Sequence, residues 1–194
     1  YLPEVLINYL ALLGWNPGTD QEIFNRKQLA RIFDLDHVNK KSAVFDDKKL
    51  NWLSGQHLML RSNKDILVDV KGLIPEWGKT GSNAYVIKVI DQLKVRSKTL
   101  THLAEQSKYF FADPESYDED AKIRSWKDNT RELLGTYLKD ISVLDDWEQS
   151  SLESSLRTVA GDAGVGAGKI IHPLRLALSG VAHGPSLFIM MELL

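Results

Sequence analysis

The sequence contains no cysteine, so neither a disulfide bond nor a thiolate metal site can form. No apolar run approaches the roughly 18 residues that a membrane-spanning helix needs, and no signal-peptide pattern is visible. Neither sign of charge dominates, because the formal net charge is −2 and the sequence pI is about 6.2. These absences are typical of a cytoplasmic protein without a membrane partner. They argue against binding to nucleic acid through a broad positive surface.

Signatures of catalysis and of metal binding are missing as well. The glycine-rich segment Gly164–Lys169 is not a phosphate-binding loop, because Ala163 occupies the position of its first glycine and no Ser or Thr follows Lys169. The five histidines lack the spacing of metal ligands, and no Gly-x-Ser-x-Gly motif is present. We therefore expect no catalytic residue and no metal site, and we interpret the glycine-rich segment as a joint between two helices.

Helical spacing of apolar residues is what the sequence does have, along most of its length. No convincing alternation typical of strands appears after residue 60, so the pattern predicts an all-α protein. In the first part of the chain, the predicted helices are Leu2–Leu13, Arg26–Phe33 capped by Asn25 with Leu29, Ile32 and Phe33 facing inward, one capped by Asp46, Lys64–Val70, one capped by Ser82, and Thr99–Phe111. In the rest of the chain, they are one from the acidic run 118–120 to about Lys139 through Ile123, Trp126 and Leu138, one capped by Asp145 or Asp146, one opened by Pro173 and closed by Gly180, and one restarted at Pro185.

Charge is distributed unevenly along the chain. The segment from Lys88 to Lys108 has a local charge of +3, whereas the segment from Asp145 to Leu194 has a local charge of −3. Any nucleic acid would therefore be bound by a few placed arginines rather than by a general positive field.

Helical periodicity alone does not decide the role of three arginines. On a helical wheel of about 100° per residue that starts at Tyr85, Arg96 falls inside the apolar stripe, at about 20°. Its head could satisfy the carbonyls of the last helical turn, or it could be aimed at a nucleotide base. Arg157 lies off the apolar face of its helix and is predicted to be a surface charge, and Arg175 flanks such a face.

Several segments in a fixed order carry a resemblance to one family. They are the opening Tyr1–Trp15, the pieces Glu22–Phe24, Phe33–Leu35 and Ala43–Gly55, and the closing string Gly168–Gly180 with Gly184–Phe188. Together they resemble the C-terminal part of bacterial glutamyl-tRNA synthetases, over the whole chain. The segment Lys40–Ser42 superficially resembles the lysine loop of class I synthetases, but Val38 and Asn39 before it do not match, so we interpret it as a solvated loop.

The resemblance implies a helical stem-contact module at about 1–61, followed at about 62–194 by an α-helical anticodon-binding domain, the helix cage of a class I aminoacyl-tRNA synthetase. A softer joint near Asp113 divides that domain into 62–113 and 114–194. The parent enzyme activates glutamate with ATP and Mg²⁺ and transfers it to tRNA(Glu). The resemblance implies that this fragment binds no cofactor and no DNA, is not catalytic, is a monomer in the cytoplasm, and that the nucleotide-binding fold precedes Tyr1.

The family's contact residues fall on positions in both modules. The resemblance assigns contact with the tRNA anticodon to Arg96, Arg157, Arg175, His172, Pro185 and Leu187, and contact with the tRNA stem to Lys49 and Trp52. An arginine at position 96 resembles the discriminating enzymes, which favour tRNA(Glu) over tRNA(Gln). Two alternatives stay open: a non-discriminating enzyme that also charges tRNA(Gln), and a helical protein-interaction module without RNA binding.

Overall fold

The computed structural model describes residues 1–40 and 42–194. Over those residues the chain forms α-helices and short 3₁₀ turns without a strand, apart from an isolated bridge between Trp15 and Val38. The prediction of an all-α fold is confirmed. Lys41, in the middle of the predicted solvated loop 40–42, lies outside the described residues.

Two compact units make up the structure, Tyr1–Glu105 and Gln106–Leu194, here called the first and the second unit. The predicted module boundaries near residues 62 and 113 differ from this division and stay predictions. The first unit contains α1 Pro3–Gly14, α2 Arg26–Ile32, α3 Asp47–Leu60, α4 Asn63–Leu73, α5 Asn83–Leu93, a 3₁₀ turn Lys94–Arg96, and α6 Leu100–Gln106, whose last residue belongs to the second unit.

The helices of the first unit begin where the sequence supplies a cap. The side chain of Asn25 accepts a hydrogen bond from the backbone N–H of Gln28, whose own side chain accepts from Asn25, a complete capping box. Asp46 caps α3, Ser62 caps α4 and Ser82 caps α5, each by accepting a backbone N–H of the first turn with its side chain. The predicted caps Asn25, Asp46 and Ser82 are therefore confirmed.

A buried amide fastens α1 to α3 and to the loop before α2. Asn8 is fully buried; its Nδ2 donates to the carbonyl of Glu22, and its Oδ1 accepts from the N–H of Phe24. Because that oxygen is an acceptor, the Nε2 of His57, 2.9 Å away, must donate to it, which fixes the neutral tautomer of the ring. Burial lowers the pKa of His57, opposed by the nearby charge of Glu4.

An ion-pair cluster joins the end of α3 to α1 and α4. Arg61 donates to both carboxylate oxygens of Asp69, and its Nη1 donates to Glu4 over 3.2 Å. The hydrogen bond that Arg61 donates to Asp69 raises the pKa of Arg61. These ion pairs are partly exposed to solvent. They connect α4 to the end of α3 and to α1.

The second unit is organised around one helix. It contains a 3₁₀ turn Lys108–Phe110, α7 Glu119–Ser125, α8 Thr130–Ile141, α9 Gln149–Asp162, α10 Gly168–Ser179 and α11 Leu187–Leu193. α10 packs against α7, α8, α9 and the 3₁₀ turn, while α9 also packs against α8 and α11. The largest fully buried side chains between these helices are Tyr137, Leu152, Leu156, Ile170, Leu176 and Met190.

Two predicted helix boundaries before α10 are wrong. The single helix expected from residue 118 to about 139 is broken at Trp126–Asn129, because the Thr130 hydroxyl accepts the backbone N–H of Lys127 over 2.8 Å and competes with the helical bonding. The next helix begins at Gln149 and not at a cap by Asp145 or Asp146. The indole N–H of Trp147 donates to the Met191 carbonyl over 2.7 Å, which keeps that segment outside the helix.

The helix predicted to open at Pro173 begins earlier, at Gly168. Proline has no N–H, so Pro173 cannot donate to the carbonyl of Lys169. Burial of Ile170 and Pro173 keeps that turn helical despite the missing bond. The glycine-rich segment before it is a joint between α9 and α10, and Gly180 ends α10 with a φ of 74°; both predictions are confirmed.

Some side chains expected to face inward lie at the surface. Ile32 and Phe33 are 42% and 43% exposed, because α2 has only seven residues and buries Leu29 against Trp15 and Phe24. Within the segment predicted as one helix, Ile123 on α7, Trp126 in the break and Leu138 on α8 are exposed too. Periodicity identified these helices but not how much of each one its neighbours cover.

Candidate nucleic-acid interface

Arg96 closes the 3₁₀ turn that follows α5 and its side chain is exposed, not buried in an apolar stripe. The helical wheel fails here because the α-helix ends at Leu93. The residue buried at this helix end is Ser97, whose hydroxyl donates to the Leu93 carbonyl over 2.8 Å. Ser97, and not the guanidinium, therefore satisfies the helix end. Among residues 1–40 and 42–194, Arg96 forms no hydrogen bond or ion pair.

Other cations of the same stretch are also uncompensated. Lys88 and Lys98 are exposed, and neither forms an ion pair with any residue that the structure describes. The backbone of this stretch is anchored to α3: a methyl group built on Gly55 would lie 3.6 Å from the Ser97 carbonyl, an ordinary contact. The segment 88–98 thus presents positive charge from a fixed backbone.

Arg157 differs because its charge is already compensated. It lies on the exposed face of α9, as periodicity predicted, and its side chain is 63% exposed. Its Nε and Nη2 donate to one carboxylate oxygen of Glu153 over 2.8 and 2.6 Å, one helical turn away. A nucleotide that needs both of these donors must first displace Glu153.

Arg175 is half-buried on α10, beside the loop that leads to α11. A methyl group built on Gly184 would lie 3.2 Å from the Nη1 of Arg175 and 3.2 Å from the hydroxyl oxygen of Tyr109. Both of those atoms are buried. Gly184 has a φ of 149°, so the chain passes the guanidinium in a conformation that favours glycine.

The C-terminal end of α10 is fixed by the acidic loop before α7. The carbonyl of Gly180 accepts the N–H of Asp118 over 2.9 Å, and a methyl group built on Gly180 would lie 2.5 Å from the Ser116 carbonyl oxygen. The Ser179 hydroxyl donates to the Arg175 carbonyl over 2.8 Å. The backbone that carries Arg175 is therefore held from both sides.

The other residues assigned to the anticodon differ in accessibility. His172 is exposed on α10. A methyl group built on Gly168 would lie 3.4 Å from its imidazole ring. Pro185 is buried, and Leu187 is only 2% exposed as part of the core. Any contact by Leu187 would therefore use backbone atoms and not the side chain.

The two residues assigned to the tRNA stem lie on neighbouring turns of α3. Trp52 is 46% exposed, so an aromatic face is available for stacking. Lys49 is half-buried and its ammonium group pairs with Glu22. Of these two, Trp52 alone has no partner among the described residues that must first be displaced.

Sequence reasoning missed two residues at these sites. Glu153 could have been found, because a glutamate four residues before an arginine on a helix is a known pairing pattern. Tyr109 gave no local signal, since only the fold brings the 3₁₀ turn against α10.

Neither a metal site nor a membrane span emerges from the described residues. Across 1–40 and 42–194, no group of three or more His, Asp or Glu side chains is arranged to hold a metal ion. Over the same residues, every helix is too short or too polar to cross a bilayer.

Comparison with protein families gives two matches. The model of the anticodon binding domain matches residues 63–194. The model of the catalytic domain of class I tRNA synthetases (E and Q) matches residues 1–52.

Curated relatives are similar over the full length of the chain. The glutamate–tRNA ligases of Chloroherpeton thalassium and Moorella thermoacetica are each 36% identical over 100% of this chain. The chain spans only 41% of the length of each of these proteins.

Solved structures show the same relation. A glutamate–tRNA ligase from Elizabethkingia meningosepticum has a TM-score of 0.88 and 35% identity over 100% of this chain and 38% of its own. The enzyme from Elizabethkingia anophelis has a TM-score of 0.84 and 33% identity over the same shares. The resemblance to glutamyl-tRNA synthetases is thereby confirmed. The chain belongs to the anticodon-binding domain family and resembles, along its whole length, the corresponding region of glutamate–tRNA ligases.

Proposed function

We propose that this chain recognises tRNA(Glu) for a glutamate–tRNA ligase, with residues 63–194 contacting the anticodon. The observation that carries the proposal is the family match over those residues, which include Arg96, Arg157 and Arg175. The exposed and uncompensated Arg96 supports it, because a guanidinium fork can pair with a base edge or a phosphate.

Chemistry with ATP, Mg²⁺ and glutamate is proposed to belong to the rest of a polypeptide as long as the relatives. Residues 1–194 offer no phosphate-binding loop, and the described part offers no cluster of metal ligands. We derive no catalytic step from this chain. The monomeric state and the cytoplasmic location stay predictions.

Specificity for tRNA(Glu) over tRNA(Gln) is proposed to depend on Arg96. The support is the family resemblance at this position, together with a side chain that is free to contact a base. No finding favours the non-discriminating enzyme or the protein-interaction module.

A titration of the chain with labelled anticodon stem-loops tests the proposal. The stem-loop of tRNA(Glu) should bind more tightly than versions with one anticodon base exchanged, and its affinity should fall steeply with salt. Arg96→Ala, Arg157→Ala and Arg175→Ala should each cost about 1–3 kcal/mol. Arg131→Ala, which removes an exposed arginine of α8, is the matched control. Equal and weak binding of every stem-loop would contradict the proposal.

A further inference from the structure

Three groups from distant parts of the sequence meet at one point of the second unit. The buried Nη1 of Arg175 and the buried hydroxyl of Tyr109 both lie against Gly184, each 3.2 Å from where its methyl group would be. Since Arg175 is half-buried as a residue, its accessible surface lies elsewhere on the side chain. Nη1, one corner of the guanidinium, is thus buried inside the second unit.

Tyr109 is well suited to hold that corner in place. It belongs to the 3₁₀ turn Lys108–Phe110, which packs against α10. Its ring lies 4.6 Å from that of Phe110, centroid to centroid, and both residues are buried. The Phe111 N–H donates to the Lys108 carbonyl over 2.9 Å and closes the turn. The tyrosine therefore has little freedom to move away from Arg175.

The backbone below Arg175 is fixed as firmly. The Ser179 hydroxyl donates to the Arg175 carbonyl and accepts the N–H of Val181 over 3.3 Å. A side chain at position 180 would collide with Ser116 and Pro114. With both the backbone and one corner of the guanidinium held, few orientations remain for the rest of the group.

Prior orientation matters because a free arginine loses rotamer entropy when it is immobilised. A guanidinium already held in one direction avoids much of that loss, and it matches only base edges with acceptors in that direction. Building on the function proposed above, we propose that Tyr109 and Gly184 are positioning residues that orient Arg175 for one base of the anticodon loop. Tyr109 does so by filling the buried space beside Gly184 with its hydroxyl, and Gly184 does so by leaving room for the guanidinium.

Tyr109→Phe tests the proposal, because it removes only the hydroxyl oxygen. The probes are the stem-loop with a glutamate anticodon and three versions, each with one anticodon base exchanged. We expect discrimination at one base position to fall by roughly 3- to 10-fold, with discrimination at the other two unchanged. Gly184→Ala should affect the same position, because its methyl group displaces the guanidinium.

Tyr137→Phe is the matched control. It deletes the same atom from another buried tyrosine of this unit, whose hydroxyl donates to the Leu152 carbonyl over 3.0 Å. We expect it to lower the melting temperature and to leave discrimination intact. If it changes discrimination as much as Tyr109→Phe does, loss of stability is the cause and the proposal is overturned.

A double-mutant cycle separates this proposal from the proposed function. If Tyr109 acts through Arg175, Tyr109→Phe should have no further effect on discrimination in an Arg175→Ala background. Additive effects, or an unaltered Tyr109→Phe variant beside an impaired Arg175→Ala variant, would overturn the positioning role alone. A wild-type chain that does not discriminate between stem-loops would instead overturn the function proposed above.

Discussion

The two units present the arginines assigned to the anticodon in opposite ways. The first unit presents Arg96 exposed and, among the described residues, without a hydrogen-bond or ion-pair partner, although it keeps a hydrogen-bond network inside, around Asn8. The second unit holds the other two, Arg157 with Glu153 and Arg175 beside Gly184 and Tyr109. The difference separates two contributions to recognition. Free cations favour affinity and respond to salt, whereas held arginines favour selectivity.

The largest effect should come from breaking the internal network of the first unit. Asn8→Ala leaves the N–H of Phe24, the carbonyl of Glu22 and the Nε2 of His57 without their buried partner, at a cost of about 3–5 kcal/mol. Residue-resolved amide hydrogen exchange should show the loss in residues 1–105 and not in 106–194. Asn51→Ala, which removes an exposed hydrogen bond to Tyr1, should change stability by less than about 0.5 kcal/mol.

Removing the free cation should weaken RNA binding without affecting the fold. Arg96→Ala is expected to cost about 1–3 kcal/mol in binding of the cognate stem-loop, with unchanged hydrogen exchange. Arg96→Lys keeps the charge but not the planar fork, so it should retain the salt dependence and lose selectivity. If Arg96→Lys binds and discriminates like the wild type, Arg96 contributes charge alone, and the assignment of discrimination to it is wrong.

Acidification should destabilise the first unit through His57. Because burial lowers the pKa of His57 in the folded state, the unfolded state takes up a proton first as the pH falls below about 6.5. The contribution of His57 to stability is then complete above that pH and decreases below it. Unfolding followed at pH 7.5 and pH 5.5 should show this decrease, smaller than the Asn8→Ala effect.

A glutamine at position 57 provides the control for the pH experiment. His57→Gln keeps an N–H donor but does not titrate, so it should remove the part of the pH dependence that His57 causes. A wild-type chain and a His57→Gln variant with the same pH dependence would show that other groups are responsible.

The smallest effect should come from releasing Arg157. Glu153→Gln removes an exposed ion pair worth about 0.3–0.5 kcal/mol, so affinity for the stem-loop should rise about twofold. Glu119→Gln makes the same change of net charge at the pair with Lys122 in the same unit. An equal gain in both variants would mean that charge alone, and not the release of Arg157, is responsible.

Local chemistry explains what the sequence predicted well. Asn25, Asp46 and Ser82 cap helices where expected, because capping depends on a few adjacent residues. The break at Trp126–Asn129 was missed because it depends on the Thr130 hydroxyl, which apolar spacing does not register. The placement of Arg96 inside the apolar stripe was wrong for a related reason, since a helical wheel does not register a change from α to 3₁₀ geometry.

The candidate site depended more on the fold than the helices did. The arginines came from the family resemblance, and periodicity alone identified only Arg157 as a surface residue. Whether each one is accessible depends on residues brought close by folding, such as Tyr109 and Gly184 near Arg175. The pairing of Glu153 with Arg157 is the exception, because four residues separate the two along one helix.

The left-handed turn at Gly180 limits which sequences this protein can tolerate. Its φ of 74° and the Ser116 oxygen 2.5 Å from any added methyl group leave no room for another amino acid. In a randomised library selected for folded protein, glycine should be the only survivor at 180. At position 55, where an added methyl group would be 3.6 Å from its nearest neighbour, alanine should survive as well.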